Sequence, residues 1–148
     1  MREYFTDASY SSQTGVGVVA TMEVIDGERR AAIVTEHRGI DSFMLEKLGI
    51  ARCVLIADGR PATIYTDCLG AIYDHYGDHI QVVWIPGHVR PSNRSPIDRL
   101  FSSMDRLARR EMHRISRRIA SSSSSQEQEP MLLSRTLPAS PRAFGVTN

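Results

Sequence analysis

Residues 3 to 9 (EYFTDAS) and 63 to 69 (TIYTDCL) are two runs rich in β-branched and aromatic residues that both pass through Thr-Asp. Side chains alternate between faces along a strand, so Asp7 shares a face with Phe5, and Asp67 with Tyr65. A polar turn, SSQTG, separates the first run from a second strand through VGVVATMEV, and the Asp-Gly pair of IDGER leads into a third, AAIVTEHR. Three consecutive strands on short turns predict an antiparallel meander. After Gly39 the period changes. Met44, Leu48, Ala51 and Leu55 fall at helical spacing behind the capping candidates Asp41 and Ser42, and Asp58-Gly59 with Pro61 ends the helix. ATIYTD reads as a fourth strand, LGAIYDHYG as a short helix and HIQVVWIPG as a fifth strand. From Ser95 a long helix carries Ile97, Leu100, Phe101, Met104, Leu107, Ala108, Met112, Ile115 and Ile119 on one stripe and arginines on the rest. The order βββαβαβα predicts an α/β domain, a five-stranded mixed sheet flanked by helices, in which the helix-crossed strands run parallel to the first.

Length and composition bound this picture. A chain of 148 residues with 41% hydrophobic content suits one domain, expected over residues 1–120. Residues 121–148 open with SSSSSQEQEP and hold three prolines, and are expected to form a disordered tail. The net charge of +1 conceals a split: residues 1–93 carry 8 basic and 12 acidic side chains, whereas 94–118 carry 8 and 3. That basic block suits contact with a polyanion. Cys53 and Cys68 lack metal spacing and fit reduced thiols, no run approaches membrane-spanning length, and the N-terminus has no apolar signal core. A cytoplasmic monomer is expected, without membrane association or an obligate protein partner.

The strand aspartates carry the chemistry. In parallel sheets ligands gather beyond the carboxyl ends of the strands, where Asp7 and Asp67 both fall. Glu46 on the first helix and Asp98 on the first turn of the last helix are expected at the same edge. Four converging carboxylates would raise one another's pKa unless a divalent cation neutralised them, and hard oxygen donors point to Mg²⁺ or Mn²⁺. Two such ions, about 4 Å apart, can activate a water and stabilise the leaving oxygen of a phosphodiester. Asp98 also closes the capping box Ser95-Pro96-Ile97-Asp98, and Glu36 in the third strand is a rival ligand. Gly15 to Ala20 matches GxGxxA but opens no helix, and His75 with His79 has zinc-like spacing without a supporting cluster, so neither is assigned a ligand.

The ordered set FTDAS, Glu46 after a three-strand meander, IYTDC, then WIPGH with Asp98 ten residues after His88, resembles ribonuclease H of the type 1 class over residues 3 to 119, in the form without the basic protrusion. The resemblance implies a ribonuclease H-like fold and endonucleolytic cleavage of the RNA strand of an RNA/DNA hybrid. It implies that Asp7, Glu46, Asp67 and Asp98 hold two Mg²⁺ ions and that His88 assists water delivery or product release. Ser9, Ser42, Arg90, Asn93 and Arg94 are the expected nucleic-acid contacts, and Glu46 a candidate acceptor for a 2′-hydroxyl. Ala8 stands where the family usually has Gly, and Cys68-Leu69 where it often has Ser-Gln. A non-catalytic nucleic-acid-binding domain, or another nuclease or strand transferase, would suit the same fold.

Overall fold

The structure is a computed structural model that describes residues 1–87 and 89–126. Its sheet is built on β1 (Arg2–Ser11), which pairs antiparallel with β2 (Val16–Ile25) and parallel with β5 (Ala62–Thr66); β5 in turn pairs parallel with β6 (Ile80–Trp84). The meander turn after β2 places both Asp26 and Gly27 at positive φ, 51° and 84°, the backbone of a tight hairpin turn. The third expected strand is divided in two. β3 (Glu28–Arg29) and β4 (Ile33–Arg38) both pair with β2, and the register shifts by one residue between them. That extra residue is a β-bulge, a device that twists an edge strand without ending its pairing.

Two helical layers cover the sheet. α1 (Ser42–Ala57) starts from Asp41, whose side chain accepts a hydrogen bond from the Met44 N–H at 2.8 Å, and ends at Asp58 in the left-handed conformation. α2 (Pro96–Gln126) lies on the other face. The alternation in β1 divides the core between them: Tyr4 packs with Ile50, Cys53, Ala57 and Ile64, whereas Phe5 packs with Phe101, Met104, Ala108 and Met112 and stacks on Tyr65 at 4.8 Å. The expected stripe of α2 is the one that packs, with Ile97, Leu100, Leu107 and Ile119 partly buried at its margins.

Two local expectations are corrected. The α1 stripe of Met44, Leu48 and Leu55 faces outward, at 51%, 37% and 79% exposure, and Leu45, Gly49, Ile50, Cys53 and Ala57 are buried instead. α1 is apolar on most sides, so its period alone did not select a face; the closest approach did. A Cβ built on Gly49 would lie 2.3 Å from Thr6 Oγ1 and 3.1 Å from a Val19 methyl. Only a glycine lets the helix sit this low on β1. The segment after β5 forms a single 3₁₀ turn, Leu69–Tyr73, rather than an α-helix. It buries only Ala71 and is interrupted by Gly70, so nothing rewards a longer helix.

α2 runs beyond residue 120 to Gln126. The hydroxyls of Ser121, Ser122 and Ser123 donate to the carbonyls of Arg118 and Ile119 at 2.7 to 3.1 Å. The remainder of the expected tail lies outside the described residues. No helix among the described residues is long and apolar enough to cross a membrane.

Gly49→Ala is expected to destabilise the protein by about 1–3 kcal/mol through overpacking, outweighing a gain in helix propensity of about 1 kcal/mol. Chemical denaturation measures this, and Thr6→Ala in the same background should recover part of the stability.

Candidate metal centre

Three segments deliver carboxylates to one point. Asp7 lies two residues past Phe5 on the central strand, and Phe5 is paired in parallel register with Tyr65, so Asp67 follows β5 at the matching position. Glu46 comes from the first turns of α1, lowered onto β1 by Gly49. One ligand atom from each of Asp7, Glu46 and Asp67 lies within 4.8 Å of the others. Asp7 is buried and the other two are half-buried.

The surroundings make this an expensive place for charge. Burial, then the neighbouring charges of Asp67 and Asp105, push the Asp7 carboxyl up to about 8, against the opposing hydrogen bond from Ala8 and the guanidinium of Arg109. Burial, followed by Asp7 and Asp67, pushes Glu46 up to about 9. Glu46 Oε1 accepts a hydrogen bond from the Ala8 N–H at 3.2 Å. Its other oxygen, Oε2, is buried and has no hydrogen-bond partner among the described residues. An orphaned carboxylate oxygen, facing two more acids in a hard-oxygen set, fits a divalent cation. The triad can therefore hold a metal.

Asp67 is fixed through its main chain. Trp84 Nε1 donates to the Asp67 carbonyl at 3.0 Å, the Thr66 hydroxyl accepts from the Cys68 N–H at 3.1 Å, and the Ile85 N–H donates to the Thr66 carbonyl at 2.9 Å. The loop after β6 then comes so near that a Cβ on Gly87 would sit 2.3 Å from Asp67 Oδ2. Any side chain at position 87 must push the carboxylate aside.

The fourth expected carboxylate is not in this group. Asp98 Oδ2 accepts hydrogen bonds from the Ser95 N–H (2.8 Å) and hydroxyl (2.7 Å), while Ser95 Oγ accepts from the Asp98 N–H at 3.2 Å. That is a reciprocal capping box with Pro96 at the first helical position, and it holds Asp98 at the helix end. The acid of α2 that acts on Asp7 is Asp105, two turns farther along and bonded to Arg109 at 2.6 Å. Its signal in the sequence was an acid set against the inward stripe, four residues after Phe101 and three before Ala108. The rival Glu36 pairs with Arg38 at 2.8 Å on the exposed edge strand. His88 lies outside the described residues.

Among the expected nucleic-acid contacts, Ser9 is half-buried beyond Asp7 on β1, and Ser42 is exposed at the start of α1. Arg90 precedes a 3₁₀ turn, Pro91–Asn93, and accepts the Asn93 N–H on its carbonyl at 2.9 Å. Asn93 Oδ1 accepts from the Ser92 hydroxyl at 3.1 Å, and Arg94 Nε donates to the Val89 carbonyl at 3.0 Å, closing this loop on itself.

Two outcomes follow. Raised carboxyl pKa values mean that the folded, metal-free protein keeps protons which the unfolded chain, at ordinary values of 3.8 and 4.5, has released. Metal-free stability should fall as pH rises from those values towards 8 to 9, and thermal unfolding with chelator should show that fall, flattened by Mg²⁺ or Mn²⁺ or by Glu46→Gln. Gly87→Ala should weaken Mn²⁺ affinity by about 10-fold or more, measured calorimetrically, with little change in melting temperature because the atoms nearest the added methyl are those of the Asp67 side chain.

No protein-family model and no curated protein matches this chain. Among solved structures it is similar to the prototype foamy virus protease-reverse transcriptase. The native form and the selenomethionine-labelled CSH mutant each align with a TM-score of 0.62 and 12% identity over 74% of this chain and 20% of that chain. The chain thus spans about a fifth of the length of the structures it matches. What this likeness establishes is architecture: the α/β sheet and its helices have the ribonuclease H-like fold.

Proposed function

We propose that the protein is a metal-dependent endoribonuclease that hydrolyses the RNA strand of an RNA/DNA hybrid. The observation that carries this reading is the closure of Asp7, Glu46 and Asp67 to within 4.8 Å, with a buried Glu46 oxygen left unpartnered. Asp7, Glu46 and Asp67 would hold the cation pair, with Asp105 in place of Asp98 as the fourth carboxylate. Two Mg²⁺ or Mn²⁺ ions, when bound, supply a water nucleophile at neutral pH and charge stabilisation at the leaving 3′-oxygen.

The chain's own residues do the rest. Asp7 and Asp67 face each other across the strand ends and fix where the scissile phosphate sits. Trp84 holds the Asp67 main chain, and Gly87 leaves room for its carboxylate. Glu46, anchored through Oε1 to the Ala8 N–H, is positioned to accept a hydrogen bond from a 2′-hydroxyl, which is how an RNA strand is told from DNA. Arg109 neutralises Asp105 until a substrate or cation approaches. Ser9, Ser42, Arg90, Asn93 and Arg94 contact the backbone without reading sequence, and His88 assists water delivery or product release. The hybrid needs no protein partner or membrane surface.

A labelled hybrid incubated with the protein and Mg²⁺ should be cut in the RNA strand, leaving a 3′-hydroxyl and a 5′-phosphate, and a DNA duplex should not be cut. Asp67→Asn and Asp105→Asn should each lower the rate about 100-fold or more, whereas Asp98→Asn should leave it within a few-fold. Uncut hybrid, or an Asp98→Asn rate as low as that of Asp105→Asn, contradicts this assignment.

A further inference from the structure

Steps of four residues along α2 lead from Asp105 to Arg109, His113 and Arg117. Twelve residues advance about 18 Å along the axis, and each step drifts about 40° around it. The row therefore leaves the acid cluster and arrives at the turn between β1 and β2. There a cavity of about 620 Å³ opens between Ser12, Gln13 and Thr14 of the turn and His113, Ser116 and Arg117 of the helix. A hydroxyl hydrogen bond of 3.0 Å between Thr14 and Ser116 ties the two sides together.

The cations of α2 are not equivalent. Arg109 is held by Asp105 at 2.6 Å, and Glu111 holds Arg110 at 3.5 Å and Arg114 at 2.7 Å. Arg117 and His113 line the cavity, and among the described residues neither side chain meets a carboxylate. The Arg117 Nε donates to the His113 carbonyl at 3.3 Å, which lays the guanidinium along the helix. Beside Tyr10, Met112 and Ala120, the lining offers hydroxyl, amide and guanidinium donors and no acid. That inventory suits phosphate oxygens, which accept from such donors whatever the base sequence.

We infer that this groove binds backbone phosphates of the nucleic-acid strand, a few nucleotides from the phosphate at the carboxylate cluster. The ligand class rests on the proposed hybrid cleavage, but the interaction is read out by binding. In an Asp67→Asn background, which keeps the hybrid intact, fluorescence anisotropy over a series of salt concentrations gives affinity and its salt slope. His113→Gln with Arg117→Gln should weaken hybrid binding about three- to tenfold and reduce the slope by about one for each phosphate no longer neutralised. Arg118→Gln, at a position that does not line the groove, removes one charge from the same helix and should leave both near the starting values. Unchanged melting temperatures confirm that the exposed substitutions leave the fold intact. Equal effects from Arg118→Gln and the groove variant, or no effect from either, overturn the inference. Groove-dependent binding without cleavage in the parent protein would defeat the nuclease reading alone; cleavage with groove-independent binding would defeat this one alone; a protein that binds no hybrid would defeat both.

Discussion

Like charges brought together at a buried sheet edge govern this structure. At the 4.8 Å spacing of the triad and an effective dielectric of 20, each pair of ionised carboxylates repels by about 3–4 kcal/mol. A domain with total stability on the order of 5–15 kcal/mol cannot hold three such charges unrelieved. The relief comes either from protons, since burial first and then the neighbouring charges push Asp7 and Glu46 up, or from a cation. Much of the surrounding architecture serves to enforce the encounter. β1 is central because it must bring Asp7 between two other segments, and its Tyr4 and Phe5 anchor a layer on each side. Gly49 lowers α1 until Glu46 reaches the strand end, and Gly87 lets the following loop close over Asp67.

Positions on strands were legible in the sequence for a simple reason. A carboxylate that shares a face with Phe5 or Tyr65 contradicts its own burial pattern, so Asp7 and Asp67 stood out without any knowledge of their neighbours. Glu46 was legible only through its place between them, because an acid near the start of a helix has no such contradiction. Asp98 shows the opposite hazard. Its spacing from His88 suggested the site, while the pattern of Ser95 and Pro96 suggested a helix cap, and the hydrogen bonds between Ser95 and Asp98 decided its position. Asp105 was harder to see because it adjoins the stripe of Phe101, Met104 and Ala108, whose spacing signals only core.

The remaining differences arise where tertiary packing overrides local pattern. α1 is apolar on nearly every side, so its rotation depends on a backbone approach of helix to strand that no periodicity encodes. The one-residue slip between β3 and β4 leaves the meander intact in sequence while dividing its last strand. The 3₁₀ turn after Cys68 replaces a helix because the short connection offers little surface to bury. None of these moves the acid cluster. The α/β order and the meeting of Asp7 with Asp67 were therefore readable together, since both depend on the strand ends.

Calorimetric titration of Mn²⁺ into metal-free protein at pH 7, repeated in buffers of differing ionisation enthalpy, tests the central claim most directly. If the cation replaces the protons that keep Asp7 and Glu46 neutral, binding should release between about one and two protons per protein molecule, and Glu46→Gln should lower that number. Binding with no net proton release, or no saturable binding, would contradict the account.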